Sequence, residues 1–300
     1  MARLEMMEIF VAVAEEQSFA GGARRLKLSA PAVTRAIAAL EERLGVKLLT
    51  RTTRYVRVTD AGQRYLEDAR RILHDANEAD EAAAGINAEP RGHLAVTAPV
   101  LFGRMFVIPG IVEYLQRFPA MDVSAIFLDR VVNMLEEGID VGIRIGELPD
   151  SSIRAIRVGH VHQVLCASPS YLAANGMPKS PDALSHHSLI AAATGSWSAI
   201  EWKFLDGDKI MTYKIKPRLS VTSNDAAIEA AVKGLGIIRI LSYQIAPFLA
   251  SGQVQSLLSN YEPKRLPIHI LHREGRYSSV KVRTFVDLMV ERLRADQVLN

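Results

Sequence analysis

The sequence predicts an α/β protein in three parts: an all-α module at the N-terminus, one long helix, and a larger α/β region built of two lobes. Apolar residues recur at helical spacing up to about residue 87, and short β-rich runs alternate with helical ones beyond residue 94. The segment 89–92, Glu-Pro-Arg-Gly, separates these two patterns as a hinge. With 300 residues and 49% apolar content, the chain is long enough for two or three domains with sizeable cores.

The N-terminal module opens with a helix that has one apolar stripe and ends before Ser18. A tight break at residues 28–29 then separates two short helices. Ser18 is a suitable N-cap for the first, and Pro31 suits the first turn of the second because its missing N–H would have no intrahelical partner there. Gly21 and Gly22 cost about 1 kcal/mol each relative to alanine in a helix interior. This pair indicates either close packing against the second short helix or a weakly stable helix.

The second short helix has two different faces. Its apolar stripe is formed by Val33, Ile37, Leu40 and Leu44, and its opposite face by Pro31, Arg35, Ala38 and Glu42, with Thr34 flanking that face. The N-terminal half of that opposite face carries small residues, one hydroxyl and one arginine. Its backbone can therefore approach the floor of a groove, and Arg35 can reach base edges or phosphates. The alternative is an ordinary helical hairpin with a solvated face.

Positive charge is concentrated in the same region. Between Ser18 and Val58 there are nine Lys or Arg residues against two acidic ones, in a chain whose net charge is +3. The two acidic residues, Glu41 and Glu42, lie in the C-terminal half of the second helix. A basic two-stranded element follows that helix. The distribution fits a surface that faces phosphates.

A long ungapped series of motifs runs through this region: Ser18-Phe19, Ala23, Leu26, the run from Leu28 to Arg35, Ile37, Leu40-Glu41, Leu44-Gly45, Leu48-Leu49, Arg51 and the run from Thr59 to Gly62. The series resembles the N-terminal domain of LysR-type transcriptional regulators. The glycine pair departs from the alanine-rich version usual in that family. The resemblance implies a winged helix-turn-helix on double-stranded promoter DNA, with the turn of the wing at residues 50–55. The residues expected at the DNA are Ser29, Ala30, Pro31, Thr34, Arg35, Arg51 and Arg54.

A long helix is predicted from Thr59, its N-cap, to about Asn87, with an apolar side that no proline interrupts. Its charges are mainly acidic, so this segment should not lie along phosphates. A helix of this length with an apolar side is suited to pairing with a copy of itself, although packing within its own chain is the alternative. In the resembled family this linker helix forms the dimer that sets two reading heads on a two-fold site.

Beyond the hinge, strands and helices alternate, which predicts parallel sheets with crossover helices. The first lobe is expected to contain strands in LAVTA, DVSAIFL and DVGIRIG, and helices at 100–117 and 131–137. The second begins near Val161 and contains strands in QVLCAS, SLIAA and KPRLSV and a helix at 224–233. The strand PIHILH and a helix at 279–294 then return to the first lobe. Two lobes joined by two crossings, with a cleft between them, resemble the family's effector domains and periplasmic binding proteins.

These predictions give the following division of the chain. Residues 1–58 form the winged helix-turn-helix, 59–88 the linker and dimerisation helix, and 89–300 the effector-binding domain. Within that domain, lobe I covers about 91–160 and 266–300, and lobe II covers about 161–265.

The cleft is the expected effector site, because ligands of open α/β sheets bind beyond the C-terminal ends of strands, near helix N-termini. This rule and the family resemblance point to Pro99, Val100, Leu101, Arg144, Thr194, Ser223 and Asn224. Arg144 is the candidate partner of an effector carboxylate, with a local ion pair to Asp140 or Glu147 as the alternative. Ser223 or Asn224 can instead be a helix cap. Leu101 stands where relatives often carry a small hydroxyl residue, which indicates a more apolar or narrower pocket.

The sequence does not indicate a membrane protein, a secreted protein, a metalloprotein or an enzyme. The apolar runs are too short to span a bilayer, and the N-terminus has acids where a signal peptide needs an apolar core, so a cytoplasmic location without membrane association is expected. The single cysteine, Cys166, excludes an intrachain disulfide and a cysteine-based metal site. Three close histidine pairs lack further ligands at metal spacing and are expected to face solvent. No cofactor is predicted, and no catalytic motif or catalytic residue is found.

The sequence therefore favours a dimeric, DNA-binding transcriptional regulator whose reading heads are re-angled when an effector closes the cleft. The alternatives are an enzyme with a winged-helix regulatory domain, which needs a nucleotide-binding loop, and an architectural DNA binder without effector control. The resemblance adds a small-molecule effector with a carboxylate as the candidate, RNA polymerase as a candidate partner, and pairing of dimers into tetramers.

Overall fold

The computed structural model describes residues 2–51, 56–83, 89–130, 132–134, 136–148, 153–192, 200–273 and 279–299. The chain divides into two compact units. The first comprises Met1–Glu89, Val132–Asp140 and Gly275–Val280, and the second comprises Pro90–Val131, Val141–Glu274 and Lys281–Asn300. The described helices and strands give the predicted α/β class. No described helix is both long enough and apolar enough to cross a membrane.

The first unit is mainly helical. Its elements in chain order are α1 (Arg3–Glu15), α2 (Phe19–Arg25), α3 (Ala30–Leu44), the antiparallel strands β1 (Leu49–Arg51) and β2 (Val56–Val58), and α4 (Asp60–Ala83). The two helices, the basic two-stranded element and the long helix are thus confirmed in the predicted order. The predicted end of the long helix, residues 84–87, lies outside the described residues.

Side-chain caps define where these helices begin. The Ser18 hydroxyl accepts the Gly21 N–H at 3.1 Å, and the Ser29 hydroxyl accepts the Ala32 N–H at 3.3 Å. Thr59 does the same for α4, accepting the Gly62 N–H at 2.9 Å. A serine or threonine at this position satisfies one of the N–H groups that have no intrahelical partner. The predicted caps at Ser18 and Thr59 are confirmed.

The glycine pair in α2 reflects close packing, but against α1 and not against α3. A Cβ on Gly22 would lie 2.8 Å from the Val13 Cγ2 and 3.0 Å from the Val13 backbone nitrogen. Val13 itself is fully buried in the core of this unit. Phe10 of α1 also packs edge-on against Tyr65 of α4, with ring centroids 5.5 Å apart. Helix α1 is therefore the element around which the other helices of the unit pack.

The predicted helix at 131–137 is wrong. The described residues of the segment form a turn, in which the Glu137 N–H donates to the Asn133 carbonyl and the Ile139 N–H to the Met134 carbonyl. Gly138 then has φ +64°, a conformation in which a helix ends. Val132 and Met134 of this segment are buried, so its apolar residues pack in the core from a turn and not from a helix.

The second unit contains two five-stranded sheets. The first sheet has the strand order β4-β3-β5-β14-β6, with β3 (Gly92–Ala98), β4 (Met121–Phe127), β5 (Val141–Ile145), β6 (Ile153–Val161) and β14 (Leu266–Arg273). The helical segments packed around it are α5 (Val100–Phe102), a π-helical turn (Gly103–Val107), α6 (Ile108–Arg117), α10 (Val280–Ala295) and a 3-10 turn (Gln297–Leu299). Strand β3 is parallel to β4 and β5, whereas β14 is antiparallel to both β5 and β6.

The second sheet has the strand order β11-β8-β12-β7-β13. In the sequence, all of its strands lie between β6 and β14 of the first sheet. Its strands are β7 (Gln163–Ala167), β8 (Leu189–Ala192), β11 (Leu219–Val221), β12 (Ile237–Leu241) and β13 (Gln255–Leu257). The remaining elements are α7 (Pro169–Asn175), a 3-10 helix (Pro181–His186), the hairpin of β9 (Ile200–Asp206) and β10 (Lys209–Ile215), α8 (Asn224–Val232), α9 (Ser242–Ala250) and a 3-10 turn (Ser259–Tyr261).

Both sheets are mixed and not parallel throughout as predicted. Strands β3, β4 and β5 run parallel in the first sheet, and β8, β11 and β12 in the second. Strands that enter from the other sheet pair antiparallel with their neighbours, as β14 does with β5 and β7 with β12. The two-stranded β9–β10 hairpin was not predicted. It packs on one face of the second sheet, with Trp202 and Phe204 buried, and the Arg239 guanidinium lies 5.3 Å from the Trp202 ring centroid. Burial lowers the pKa of Arg239 to about 10.

Candidate nucleic-acid interface and ligand cleft

Helix α3 is buried on one side and exposed on the other. Val33 and Leu40 are fully buried, whereas Pro31, Thr34 and Arg35 are exposed. The two faces deduced from helical spacing are therefore confirmed. Because the exposed N-terminal half carries short side chains, this part of the helix can approach another surface closely.

The predicted DNA-contact residues of this helix lie together at its N-terminus. Ser29, Ala30 and Pro31 are all exposed and form its cap and first turn. One turn further, Arg35 folds back along the helix, and its Nε donates to the Pro31 carbonyl at 3.4 Å. This long contact leaves the guanidinium of an exposed side chain able to turn outward.

Two basic residues of this region are engaged in ion pairs. The Arg25 Nη1 lies 2.6 Å from the Glu15 Oε2, and the Lys47 Nζ lies 2.6 Å from the Glu41 Oε2. Arg24, Lys27, Arg43 and Arg57 have exposed side chains at other positions of the unit. Because Glu15 and Glu41 offset the charges of Arg25 and Lys47, the net positive charge of this surface is smaller than the number of basic residues suggests.

Glu41 is a residue whose role sequence reasoning missed. Its side chain is only 8% exposed, and its Oε1 accepts the N–H groups of Leu48 at 2.9 Å and Leu49 at 3.1 Å. Burial alone would raise the pKa of Glu41, but the hydrogen bonds from Lys47, Leu49 and Leu48 outweigh burial and lower it. Glu41 thus holds the start of β1 against α3. Its position on the buried side of α3 was the signal that could have identified it.

Glu15 connects three helices of the same unit. Besides the pair with Arg25 of α2, the Glu15 Oε1 accepts hydrogen bonds from the Arg70 Nη2 at 2.7 Å and Nε at 3.0 Å. Glu15 ends α1, and Arg70 lies in α4. Burial opposes ionisation of Glu15, but the hydrogen bonds from the two arginines lower its pKa. This carboxylate therefore fixes the long helix to the helix-turn-helix.

The β1–β2 hairpin corresponds to the predicted wing. Its register pairs Leu49 with Val58, Thr50 with Arg57 and Arg51 with Val56. Arg54 lies outside the described residues, and so does the side chain of Arg51. The exposed Arg57 is a further basic residue of the hairpin.

A cleft of about 340 Å³ lies in the second unit, at the ends of strands from both sheets. It is lined by Pro99, Leu128, Asp129, Arg130, Arg144, Ile145, Gln163, Asn224, Leu241, Tyr243, Gln244 and Leu266. The lining combines amides, one carboxylate and two guanidinium groups with aliphatic side chains. Its volume is within the range of small-molecule sites.

Some of the predicted effector residues line the cleft, and others do not. Pro99, Arg144 and Asn224 line the cleft. Leu101 does not, because its side chain is 4% exposed and packs in the core. Val100 follows Pro99 with its N–H directed to Asp129, and Ser223 is the N-cap residue of α8. Thr194 lies outside the described residues.

Asp129 is a second residue that sequence reasoning missed. Its Oδ1 accepts the Val100 N–H at 3.0 Å, and its Oδ2 lies 3.4 Å from the Asn224 Nδ2. The strand-end rule that pointed to Arg144 after β5 also applies to β4, which ends two residues before Asp129. Applying the rule to every strand would have found this carboxylate.

Tyr243, which lines the cleft, belongs to a cluster of aromatic rings. Tyr243 packs edge-on against Phe102 and Phe106, with ring centroids 5.4 and 5.7 Å apart. Its hydroxyl accepts a hydrogen bond from the Gln244 Nε2 at 3.1 Å. Phe106 lies in the π-helical turn between α5 and α6, a local irregularity that often accompanies binding sites.

The surroundings of the described histidines and of Cys166 do not indicate a metal-binding or redox site. Within the described residues there is no group of three or more His, Cys, Asp and Glu suited to hold a metal ion. The expectation that the paired histidines face solvent is wrong for His272, which is 7% exposed, and His162 lies 3.6 Å from the Glu262 carboxylate. Cys166 is fully buried, and burial raises its pKa to about 12, so the thiolate required for redox chemistry is disfavoured.

Comparison with known proteins gives one family for both parts of the chain. The model "Bacterial regulatory helix-turn-helix protein, lysR family" matches residues 4–63, and the model "LysR substrate binding domain" matches residues 87–294. An HTH-type transcriptional regulator of Xanthomonas campestris is 32% identical over 292 residues, which cover 96% of this chain and 85% of the relative. The HTH-type transcriptional regulator CrgA of Neisseria meningitidis is 30% identical over 290 residues, 96% of each chain. The solved structure of CrgA is similar with a TM-score of 0.61 at 29% identity, covering 98% of this chain and 99% of CrgA.

Proposed function

The chain belongs to the LysR family of bacterial transcriptional regulators, and we propose which of its residues carry out DNA binding and effector binding. It is a DNA-binding regulator with an effector-binding domain. The proposed division assigns residues 1–58 to the DNA-binding domain, 59–88 to the linker and dimerisation helix, and 89–300 to the effector-binding domain. In the last, lobe I spans about 91–160 and 266–300, and lobe II about 161–265.

The N-terminal half of α3 enters the major groove. The observation that supports this is the exposed face of short side chains around Arg35, on a helix whose other face is buried. Ser29, Ala30, Pro31 and Thr34 bring the backbone close to the groove floor, and Arg35 reads base edges. Side chains at a helix N-terminus are the part of a recognition helix that meets the bases in helix-turn-helix proteins.

The wing adds contacts that do not depend on sequence. Arg51 and Arg54 are assigned to phosphates or to the flanking minor groove, and the exposed Arg57 on the same hairpin extends this basic surface. Such contacts set register and orientation and supply affinity that falls as salt is raised. The linker helix brings two copies together, so that two reading heads meet a two-fold site.

The cleft binds a small-molecule effector. Support comes from its volume of about 340 Å³ and from Arg144, whose guanidinium is suited to a carboxylate. Pro99 and Asn224 complete the predicted set at the cleft, and Val100 and Ser223 lie beside them in the chain. Thr194 is assigned to the second-lobe wall. Leu101 contributes to the shape of the cleft through the core beneath it.

The remaining partners follow from the family. We infer that dimers pair into tetramers, that RNA polymerase is contacted at the promoter, and that the chain is a regulator and not an enzyme. The enzyme alternative requires a response to nucleotides. A thermal-shift experiment with nucleotides is expected to give no change in melting temperature.

The DNA-contact assignment is tested with Arg35→Ala. Its affinity for the specific site is expected to fall by about 1–3 kcal/mol with relaxed base preference, because one base-reading side chain is removed. The measurement is footprinting and titration on the region upstream of the protein's own gene, beside a random duplex of equal length.

Arg43→Ala is the matched control, since it removes an exposed arginine from the opposite end of the same helix. It should reduce specific and non-specific binding alike. An equal loss of both for Arg35→Ala would remove Arg35 from the base-reading role. The absence of any protected two-fold site would count against the function itself.

A further inference from the structure

The ligand cleft contains a carboxylate of the protein itself. Asp129 accepts the Val100 N–H with one oxygen and lies within 3.4 Å of the Asn224 amide nitrogen with the other. Val100 follows β3 of the first sheet, and Asn224 follows β11 of the second. One side chain therefore touches both lobes across the cleft. The pKa of Tyr243 is raised mainly by burial, and the nearby negative charge of Asp129 raises it further.

The same cleft contains positively charged groups suited to a second carboxylate, that of a ligand. Arg144 and Arg130 both line it, together with the neutral donors of Gln163 and Asn224. One carboxylate among these groups is electrostatically favourable. Two carboxylates on the same donors repel each other, and one of them must leave or take up a proton. Asp129 already occupies the Val100 N–H and the Asn224 amide, so these two donors can serve Asp129 or a ligand acid group, but not both at once.

We propose that the Asp129 carboxylate occupies the position that the acid group of the effector takes when the effector binds. A small carboxylate binds by displacing the Asp129 side chain from the Val100 N–H and from Asn224, and it thereby breaks this contact between the lobes. The inference rests on the proposed effector cleft and identifies its ligand class as small organic carboxylates. The volume of about 340 Å³ accommodates molecules of that size.

Because the ligand must displace Asp129, its binding is linked directly to the loss of this contact between the two lobes. The free energy of releasing Asp129 is subtracted from the intrinsic affinity, so the observed affinity is weaker than that of a cleft without this side chain. Removing the Asp129 carboxylate should therefore strengthen carboxylate binding, whereas removing an ordinary ligand-contact residue should weaken it. This difference in sign distinguishes an internal competitor from a contact residue.

The test uses the full chain with Asp129→Ala and acetate as the probe, because acetate has the size and charge of the deleted group. Melting temperature is measured at neutral pH during an acetate titration, with chloride at equal ionic strength as the reference. The variant should be stabilised by acetate at a concentration roughly tenfold lower than the wild-type chain requires, as expected for one charge-assisted hydrogen-bond site made available.

Asp122→Ala is the matched control, because it removes an exposed carboxylate from β4 of the same sheet without altering the cleft. It should respond as the wild type does. Asp129→Ser is a second variant that keeps a short, uncharged capping side chain for Val100, so its response to acetate should lie between those of the wild type and Asp129→Ala. Equal acetate responses of all four proteins, no response of either Asp129 variant, or a response of Asp122→Ala equal to theirs would overturn the proposal. DNA footprinting of the wild type tests the proposed function separately.

Discussion

Single carboxylates decide how the basic N-terminal unit is built. Glu41 was counted as one of two acids that reduce a positive surface, but its side chain faces inward and accepts two backbone N–H groups and the Lys47 ammonium. Two N–H groups at the start of a short strand would otherwise be buried without partners, which costs about 1–3 kcal/mol each. Glu41 is therefore a structural residue that stabilises the β1–β2 hairpin on α3.

Glu41→Gln should lower the free energy of unfolding of the N-terminal unit by about 1–3 kcal/mol at neutral pH, because charged acceptors make the stronger hydrogen bonds. The folded-state pKa of Glu41 is lowered, so its contribution is present above the unfolded pKa and is lost as pH falls through the folded pKa. Urea unfolding at neutral and acidic pH measures this.

The difference between Glu41→Gln and the wild type should disappear at acidic pH. Glu42→Gln, on the exposed side of α3, should have little effect at either pH. A destabilisation of Glu41→Gln that stays constant across the pH range would contradict the role of its charge.

At the scale of elements, Glu15 links the first two helices of the N-terminal unit, α1 and α2, to the linker helix α4. Glu15 at the end of α1 joins Arg25 of α2 and Arg70 of α4. Each ion pair is partly exposed and contributes little to stability, typically below about 1 kcal/mol. Their effect on geometry is larger, because α4 is 24 residues long and a small change of angle at its start becomes a large displacement at its end.

Glu15→Gln should therefore change how well two reading heads fit a two-fold site more than it changes the fold. Affinity for a duplex with both half-sites is expected to fall several-fold, while affinity for one half-site stays near that of the wild type. Glu16→Gln is the matched control, since Glu16 approaches Arg25 only at 3.9 Å. Equal losses on both duplexes would show that Glu15 supports the helix-turn-helix and not its orientation.

At the scale of the whole effector region, the two sheets share one core. Val96, Ile143 and Ile270 of the first sheet and Cys166, Ile190 and Ile238 of the second belong to a single cluster of fully buried residues. Lobes joined by an apolar interface move relative to each other less readily than lobes joined by a hinge alone. Small rearrangements at the cleft, such as release of Asp129, are therefore the expected form of response.

The two lobes should unfold together. Amide hydrogen exchange is expected to give the slowest-exchanging amides of β3 and β5 and those of β8 and β12 similar free energies of opening, with the same dependence on denaturant. The β9–β10 hairpin, which packs outside this core, is the internal comparison and should open at lower free energy. Two separate transitions for the two sheets would mean that the shared core does not couple them.

The sequence by itself determined what depends on near neighbours. The faces of α3, the caps at Ser18 and Thr59, the order of helices and strands and the family pattern all follow from spacings of a few residues, because helical periodicity and capping are local. Arg144 and Asn224 were found in the same way, from the positions where a strand ends and a helix begins. The helix predicted at 131–137 failed because an apolar run of this length can pack in the core from a turn as well as from a helix.

Only the tertiary structure decided which of these groups meet. Asp129 lies 95 residues from Asn224, and Glu15 lies 55 residues from Arg70. The antiparallel return of β14, the hairpin that covers the second sheet and the burial of Leu101 likewise depend on distant parts of the chain. Spacing in the sequence contains no information on such contacts, because they are selected by the packing of whole elements around a shared core. The site in which a ligand is bound is assembled from contacts of this kind.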